Sequence, residues 1–323
     1  MNSFGRIFRI QIFGESHNLA VGIVIDGCPP GIKILEKDFI PDIERRKGGK
    51  AGTTARKEVD IPQIISGVFN DYSTGSPITI IFNNEDVKSD DYNNLVNHNR
   101  PGHADFTAKI KYDGFNDCRG GGHFSGRLTL PIVAAGCIAK KILKNISINA
   151  KLIEAGGIRN IDIAIENAIK TNNTIGGIVE CVAKGIPVGY GEPFFDSVES
   201  VISHLAFAIP AIKGIEFGNG FRAVKNTGMQ QNDVFINEKG KTKTNNCGGI
   251  LGGITNGNEL IFRVAVKPAS SISVSQNTFN FEENIIKPLE VKGRHDACIA
   301  LRVPVVIEAI TAIALADFKL LYK

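Results

Sequence analysis

The chain has 323 residues, 43% hydrophobic, 22% charged and 7% aromatic, without tryptophan. Its 37 Lys and Arg against 33 Asp and Glu leave a net charge of +4 at pH 7. This is a globular profile with ample core material: the mild positive charge permits an anionic small ligand without demanding nucleic acid, and the few aromatics argue against a stacking platform for single strands.

In chain order, "RIFRIQIF" (6–13) alternates and predicts a strand, and "AVGIVIDG" (20–27) predicts a second one, ended by "CPPG". The intervening "GESHN" is then a connection whose side chains can reach a cleft. A charged helix is expected near "EKDFIPDIERRK" (36–47), and the glycine-rich basic stretch "RRKGGKAGTTARK" (45–57) breaks regular structure. "PQIISGVF" (62–69) and "PITIIF" (77–82) read as strands around the turn "NDYSTGS". "RLTLPIVAAGCIAKKIL" (127–143) has helical spacing and ends in lysines. "IDIAIENAIKTN" (161–172) and "DSVESVISHLAFAI" (196–209) predict amphipathic helices. "GGIVECVAKG" (176–185) and "NELIFRVAVK" (258–267) predict strands. "RVPVVIEAITAIALADFKLLY" (302–322) predicts a long helix with Pro304 in its first turn. There is no regular βαβ alternation, repeat or linker, so the expectation is one α+β domain over residues 1–323.

The six cysteines form no C-x-x-C pair, which sets aside zinc-ribbon and thioredoxin readings and suits reduced thiols in the cytoplasm. Arg6 and Arg9 interrupt the N-terminal apolar run, so it is not read as a signal peptide. "VPVVIEAITAIALAD" contains Glu308 and reads as too short to span a bilayer. A cytoplasmic protein without nucleic-acid, membrane or metal partners is expected.

Chemistry concentrates in loops of Gly, His, Arg and Ser: "GESHNLAVG" (14–22), "RRKGGKAGTTARKE" (45–58), "NRPGHADF" (99–106), "DCRGGGHFSGRLT" (117–129), "CGGILGGITNG" (247–257), "KPASSIS" (267–273) and "KGRHDAC" (292–298). Glycine admits a ligand close to the backbone, exposed amides form concave anion sites, and arginine adds a bidentate fork. Singly, each feature has a plainer reading: His17 or His103 as a hydrogen-bonded turn residue, His98 and His204 as structural or surface residues, Arg45, Arg46, Lys47 and Lys50 as a solvated face. "GNGFRA" (218–223) is set aside as a dinucleotide fingerprint because no βαβ unit surrounds it, and "RGGGH" (119–123) lacks the ending of a P-loop. Jointly, "GESH", "RPGHAD" and "GRHDAC" each set a histidine beside an acid or hydroxyl in a glycine-flanked loop. That coincidence predicts an enzyme acting on a phosphorylated or carboxylated metabolite, with the reaction left open.

From "FRIQIFGESHNLAVGIVIDGCPPGI" through "RPGHADFTAKIKYDGFNDCRGGGHFSGR", "GIPVGYGEPFFDSV", "IPAIKGIEFGNGF" and "VKPASSIS" to "GRHDACIALRVPVVIEAITAIALAD", the chain resembles the chorismate synthase family over nearly its whole length. The resemblance implies a β-α-β sandwich with helices between antiparallel sheets, assembled as a homotetramer. It implies a lyase that eliminates phosphate from 5-enolpyruvylshikimate 3-phosphate to give chorismate, with reduced FMN as a transient electron donor. By the same resemblance, His17 serves the departing phosphate, His103 the reduced flavin, and Asp296 the substrate proton, while Ser16 and Ser125 relay protons. Arg45, Arg46, Arg119 and Arg127 are the implied substrate arginines. His123, Phe124, Ser125, Pro210, Ala211, Gly252, Lys267, Pro268, Ala269, Ser270, Ser271 and Arg294 are the implied flavin positions. Family members differ in whether NADPH reduces their own flavin; with no nucleotide fingerprint here, a separate reductase is expected. His123, Phe124, Leu128 and Ala269 depart from the common pattern, as does Asn18, which stands where a glycine is usual. Two competing readings are a net flavin oxidoreductase and a basic module binding RNA or a protein.

Overall fold

A computed structural model describes residues 2–56, 58–86, 95–291, 293 and 295–322. In chain order the elements are β1 (Ser3–Phe4), β2 (Arg9–Gly14), β3 (Ala20–Asp26), α1 (Ile40–Arg46), β4 (Gln63–Ser66), β5 (Val68–Phe69), β6 (Tyr72–Ser73), β7 (Ile78–Asn83) and α2 (Asp105–Lys111). After them come α3 (Thr129–Leu143), β8 (Ser147–Ala155), α4 (Ile161–Lys170), β9 (Gly177–Lys184), α5 (Val198–Ala208), β10 (Ile212–Phe217) and α6 (Gly228–Gln231). The last are β11 (Ile250–Leu251), β12 (Ile254–Thr255), β13 (Leu260–Val266), β14 (Gln276–Asn280), β15 (Ile285–Leu289) and α7 (Val303–Leu321).

Two antiparallel sheets carry the architecture, in the orders β1-β2-β3-β7-β4 and β10-β13-β9-β8. Period-2 alternation gives each sheet one apolar face. In the first, Val21, Ile23 and Ile25 lie opposite Phe82, Ile80 and Ile78, all buried. In the second, Val179, Cys181 and Ala183 lie opposite Val264, Phe262 and Leu260. Helix α3 covers the first sheet, α7 covers the second, and the two helices pack on each other. The result is the expected α+β sandwich, with helices enclosed between antiparallel sheets.

Helix α7 corrects one expectation. With its preceding turn it runs from Ile299 to Leu321, 23 residues that include an 18-residue stretch of mean hydropathy 2.0, long and apolar enough to cross a membrane. Its apolarity has another use here, since it is buried between the two sheets. Glu308 sits in its middle with a side chain 3% exposed, bonded to Arg45 (2.6 and 2.7 Å), Lys140 (3.1 Å) and the Ala150 amide (2.9 Å). Burial alone would raise its carboxyl; the Arg45, Ala150 and Lys140 partners outweigh that and hold it below the ordinary glutamate range.

The other differences are local. The strand expected at 6–13 begins only at Arg9, because Asp317 of α7 takes the amides of Arg6, Ile7 and Phe8 at 2.7–2.9 Å. Asn18 keeps an ordinary negative φ, so the loss of glycine there requires no left-handed backbone. Strands β8 and β10 and helix α2 were not anticipated. "GNGFRA" continues β10 into a short 3-10 turn, Gly220–Lys225, with only antiparallel pairing around it, so no dinucleotide unit forms.

Candidate active site

The loop after β2 places Ser16 and His17, which are 0% and 8% exposed, against the glycines of 120–122. The three glycines have φ of 59°, 82° and 54°, the left-handed region open to residues without a Cβ. A Cβ on Gly120 would lie 2.5 Å from the His17 ring and 3.0 Å from Ser16 Oγ. One on Gly121 would lie 3.3 Å from His103 and 3.9 Å from Ser125 Cβ. The bare backbone therefore threads between two imidazoles that are 86 residues apart in sequence, and the Gly122 carbonyl accepts the Ser16 amide at 3.1 Å. His17, Ser16, His103 and Ser125 are thus brought together. Ser125 caps the following turn, its hydroxyl accepting the Arg127 amide at 3.2 Å.

The two histidines are held differently. Burial, then the charges of Arg56 and Arg119, lower the pKa of His17 against weaker opposition from Asp117 and Glu58. His103 Nδ1 lies 2.6 Å from Asp105 Oδ1 and 3.0 Å from Arg100 Nη2, and its Nε2 faces the glycines. Burial pushes the Asp105 carboxyl up, but bonds from Arg100 (2.7–3.1 Å) and His103 outweigh it, so Asp105 stays an anion.

A wall of arginines surrounds Arg46, with Arg302, Arg127 and Arg56 all acting on its charge. Arg46 is 3% exposed and spends its donors on Thr129 Oγ1 (2.9 Å) and Gly126 O (3.0 Å). Burial, then Arg302, depress its pKa, with Arg127 and Arg56 acting in the same sense and Asp60 against them. Arg127 bonds Asp60, Asn84 (2.9 Å) and the Asn83 carbonyl (3.1 Å). Asp296 joins this wall: its carboxylate accepts the Thr54 amide (3.0 Å) and faces Arg302 (3.3 Å), whose Nε donates to the Arg46 carbonyl (2.8 Å). Arg119 stands near the surface beside His17, gripped by Asp117 at 2.8 Å.

The segment 267–271 docks on the His103 loop. Lys267 Nζ donates to the Gly102 carbonyl (2.8 Å) and Ser270 Oγ (2.6 Å), and Arg100 donates to Ser271 Oγ (2.9 Å). Ala211, with φ 75°, accepts the Lys267 amide at 2.9 Å, which draws Pro210–Ala211 to the same place. Ala269 accepts from Thr174 at 2.8 Å, and Pro268 borders Gly176.

Other expected residues lie elsewhere. Arg45 turns from the site to grip Glu308 and Asp42, because α1 presents it to α7 while its neighbour Arg46 faces the loops. His123 uses its ring on Gly14 O (2.8 Å) and Asn2 (3.1 Å), pinning the His17 loop. Phe124 is 37% exposed beside Tyr112. Gly252 is at the turn of the β11–β12 hairpin, whose bonds run to Tyr190 and Val198. Arg294 lies outside the described residues. Sequence reasoning marked the acid of "RPGHAD", Asp105, beside His103, and missed Arg56, Glu58, Asp60, Arg100 and Arg302. The alternation in "RKEVD" was the one available signal for the acids.

Two sheets closing on a helical layer carry two loop-borne imidazoles on one glycine backbone, with Arg56 and Arg119 beside the first and Arg100 beside the second, a set of groups suited to an anionic ligand. The chorismate synthase family model matches residues 8–320. A chorismate synthase of Chitinophaga pinensis is 60% identical over 99% of this chain and 97% of its own length, and one of Pyrococcus abyssi is 42% identical over 97% and 96%. A crystal structure of chorismate synthase superimposes with a TM-score of 0.77 at 25% identity, covering 99% of this chain and 93% of the other. The chain belongs to the chorismate synthase family, lyases of the last shikimate step.

Proposed function

We propose that this chain eliminates phosphate from 5-enolpyruvylshikimate 3-phosphate in the anti-1,4 sense, yielding chorismate, with reduced FMN bound next to His103. The observation that carries the reading is the glycine backbone held between His17 and His103, where a Cβ on Gly120 would crowd the first ring and one on Gly121 the second. The donor set fits an anionic, phosphate-bearing cofactor: the Lys267 ammonium, the Ser270 and Ser271 hydroxyls and the Arg100 guanidinium gather on one loop pair. When bound, reduced FMN supplies the transient electron density that loosens the carbon–oxygen bond to phosphate.

The chain's own residues do the rest. Arg46, Arg127 and Arg119 provide positive potential for the substrate's phosphate and carboxylates. His17, uncharged in the free protein, gains a proton as the phosphate dianion approaches and returns it to the departing oxygen. His103, its Nδ1 tied to Asp105, presents Nε2 as proton donor or acceptor toward the cofactor. Asp296, held between Thr54 and Arg302, is a base for the substrate proton. Reducing equivalents from a separate reductase, a cytoplasmic location and a homotetramer complete the proposal.

The test is anaerobic turnover of the enolpyruvyl substrate with photoreduced FMN. Chorismate and phosphate appearing in equal amounts, with no net oxidation of flavin, is the expected result. Net stoichiometric flavin oxidation would make it an oxidoreductase instead. His17→Ala is expected to slow turnover about 10²–10⁴-fold.

A further inference from the structure

We propose that Arg56 is a positioning residue of this reaction: its guanidinium makes the Ser16 hydroxyl a hydrogen-bond donor to the substrate phosphate and couples proton uptake by His17 to phosphate binding. The inference rests on the function proposed above and adds a residue to it.

In "ARKEVD" the alternate side chains of Arg56, Glu58 and Asp60 turn inward, 19%, 5% and 2% exposed. Glu58 clamps Arg56 through Nε (2.9 Å) and Nη2 (2.5 Å) and receives the Glu85 amide on its other oxygen (2.9 Å). Thus anchored, the guanidinium sends Nη1 to Ser16 Oγ (3.1 Å) and Nη2 to the Ser16 carbonyl (3.3 Å). A serine oxygen that accepts from an arginine keeps its own hydrogen for donation. Ser16 is fully buried, and among the described residues no acceptor takes that hydrogen. The bond therefore gives the hydroxyl a direction: it donates, and an anion is its natural acceptor.

The same guanidinium acts on the adjacent ring. Among the described residues, the charges acting on His17 include Arg56 and Glu58 from this segment and Asp117 and Arg119 from the glycine loop, with Arg56 the largest of these. A phosphate dianion that neutralises Arg56 removes the repulsion opposing a second positive charge at His17. Arg56 also reaches the third catalytic candidate: its amide donates to Thr54 Oγ1 (3.2 Å), and the Thr54 amide donates to Asp296 (3.0 Å).

The experiment uses full-length protein with ¹⁵N-labelled histidine. The His17 imidazole is titrated by NMR in wild type, Arg56→Lys and Arg56→Gln, with and without inorganic phosphate. In parallel, anaerobic turnover is measured for these variants, Ser16→Ala and the Ser16→Ala/Arg56→Gln double variant. Phosphate is expected to raise the wild-type His17 midpoint. Arg56→Gln raises it without phosphate, by about half a unit or more, and abolishes the further rise. Arg56→Lys keeps the charge and the midpoint but loses the fork, so kcat drops about tenfold or more with a smaller change in KM. The double variant is expected to be no slower than the slower single variant.

An unchanged midpoint and turnover in Arg56→Gln overturns the proposal, as do losses that multiply in the double variant. Turnover losses that track a fall in melting temperature, with the midpoint fixed, reduce Arg56 to a strut and also overturn it. Should Arg56→Gln not fold, Arg56→Lys decides: wild-type kcat there sinks the idea. If the wild type yields no chorismate, the assigned reaction fails, while the NMR titration still reports separately whether Arg56 governs His17.

Discussion

His17 is the residue whose charge decides what the site does. Its pKa is depressed on folding by burial and by Arg56, so the unfolded chain takes a proton first as pH falls. The sign follows: this histidine's contribution to stability is intact above about pH 6.5 and is lost as pH drops below that value, which urea midpoints read out. At pH 7 the free enzyme holds a neutral ring, and a phosphorylated ligand restores the proton. Calorimetry in two buffers of different ionisation enthalpy is expected to show net proton uptake on ligand binding, lost in His17→Ala. Gly120→Ala tests the packing between the rings: its Cβ would fall 2.5 Å from His17 at φ 59°, so turnover is expected to fall at least tenfold, with about 1–2 kcal/mol lost in stability. The histidines were legible because glycines flank them, as was Asp105 two residues from His103; the long-range partners of these loops were not. Arg56 meets Ser16 across 40 residues, Lys267 meets Gly102 across 165, and Thr54 meets Asp296 across 242. Nothing in local spacing encodes such pairings.

Among elements, the helices were the most legible, because α3, α4, α5 and α7 carry uninterrupted apolar spacing that only a helix can bury on one side. Strands β8 and β10 were hidden for the converse reason. Asn149, Lys151 and Glu154 interrupt the first, and Gly214 and Glu216 the second, since one face of this sheet carries a row of ion pairs, Glu216–Arg263–Glu180–Lys151. The α3–α7 contact gives the sharpest test at this scale. A Cβ at Gly136 would lie 2.4 Å from Ala309 Cβ and 2.5 Å from its Cα. Alanine gains about 1 kcal/mol over glycine in helix propensity, but overpacking two buried backbones costs about 1–3 kcal/mol. Gly136→Ala is therefore expected to lower the melting temperature, and an increase would show that the helices move apart freely.

Over the whole molecule, composition and pattern reached one α+β domain, and only the family resemblance supplied the sandwich, because layer order depends on which sheet each helix covers. The surface carries a further signal. Phe194, Phe195, Phe221, Val224 and Met229 are each more than 80% exposed, an apolar load that supports the proposed homotetramer. Light scattering at micromolar concentration is expected to give four chain masses, and Phe221→Asp with Met229→Asp to give fewer; a monodisperse monomer in the wild type would remove the assembly from the proposal. Helix α7 has one more consequence. Both sheets are complete in sequence at Val266, yet the helix they close upon starts at Val303. During synthesis the first sheet therefore has α3 to cover it, while the inner face of the second sheet waits for α7, which is made after every strand of both sheets. Chaperone capture in that interval, and misfolding when synthesis stalls there, follow directly from placing the keystone last.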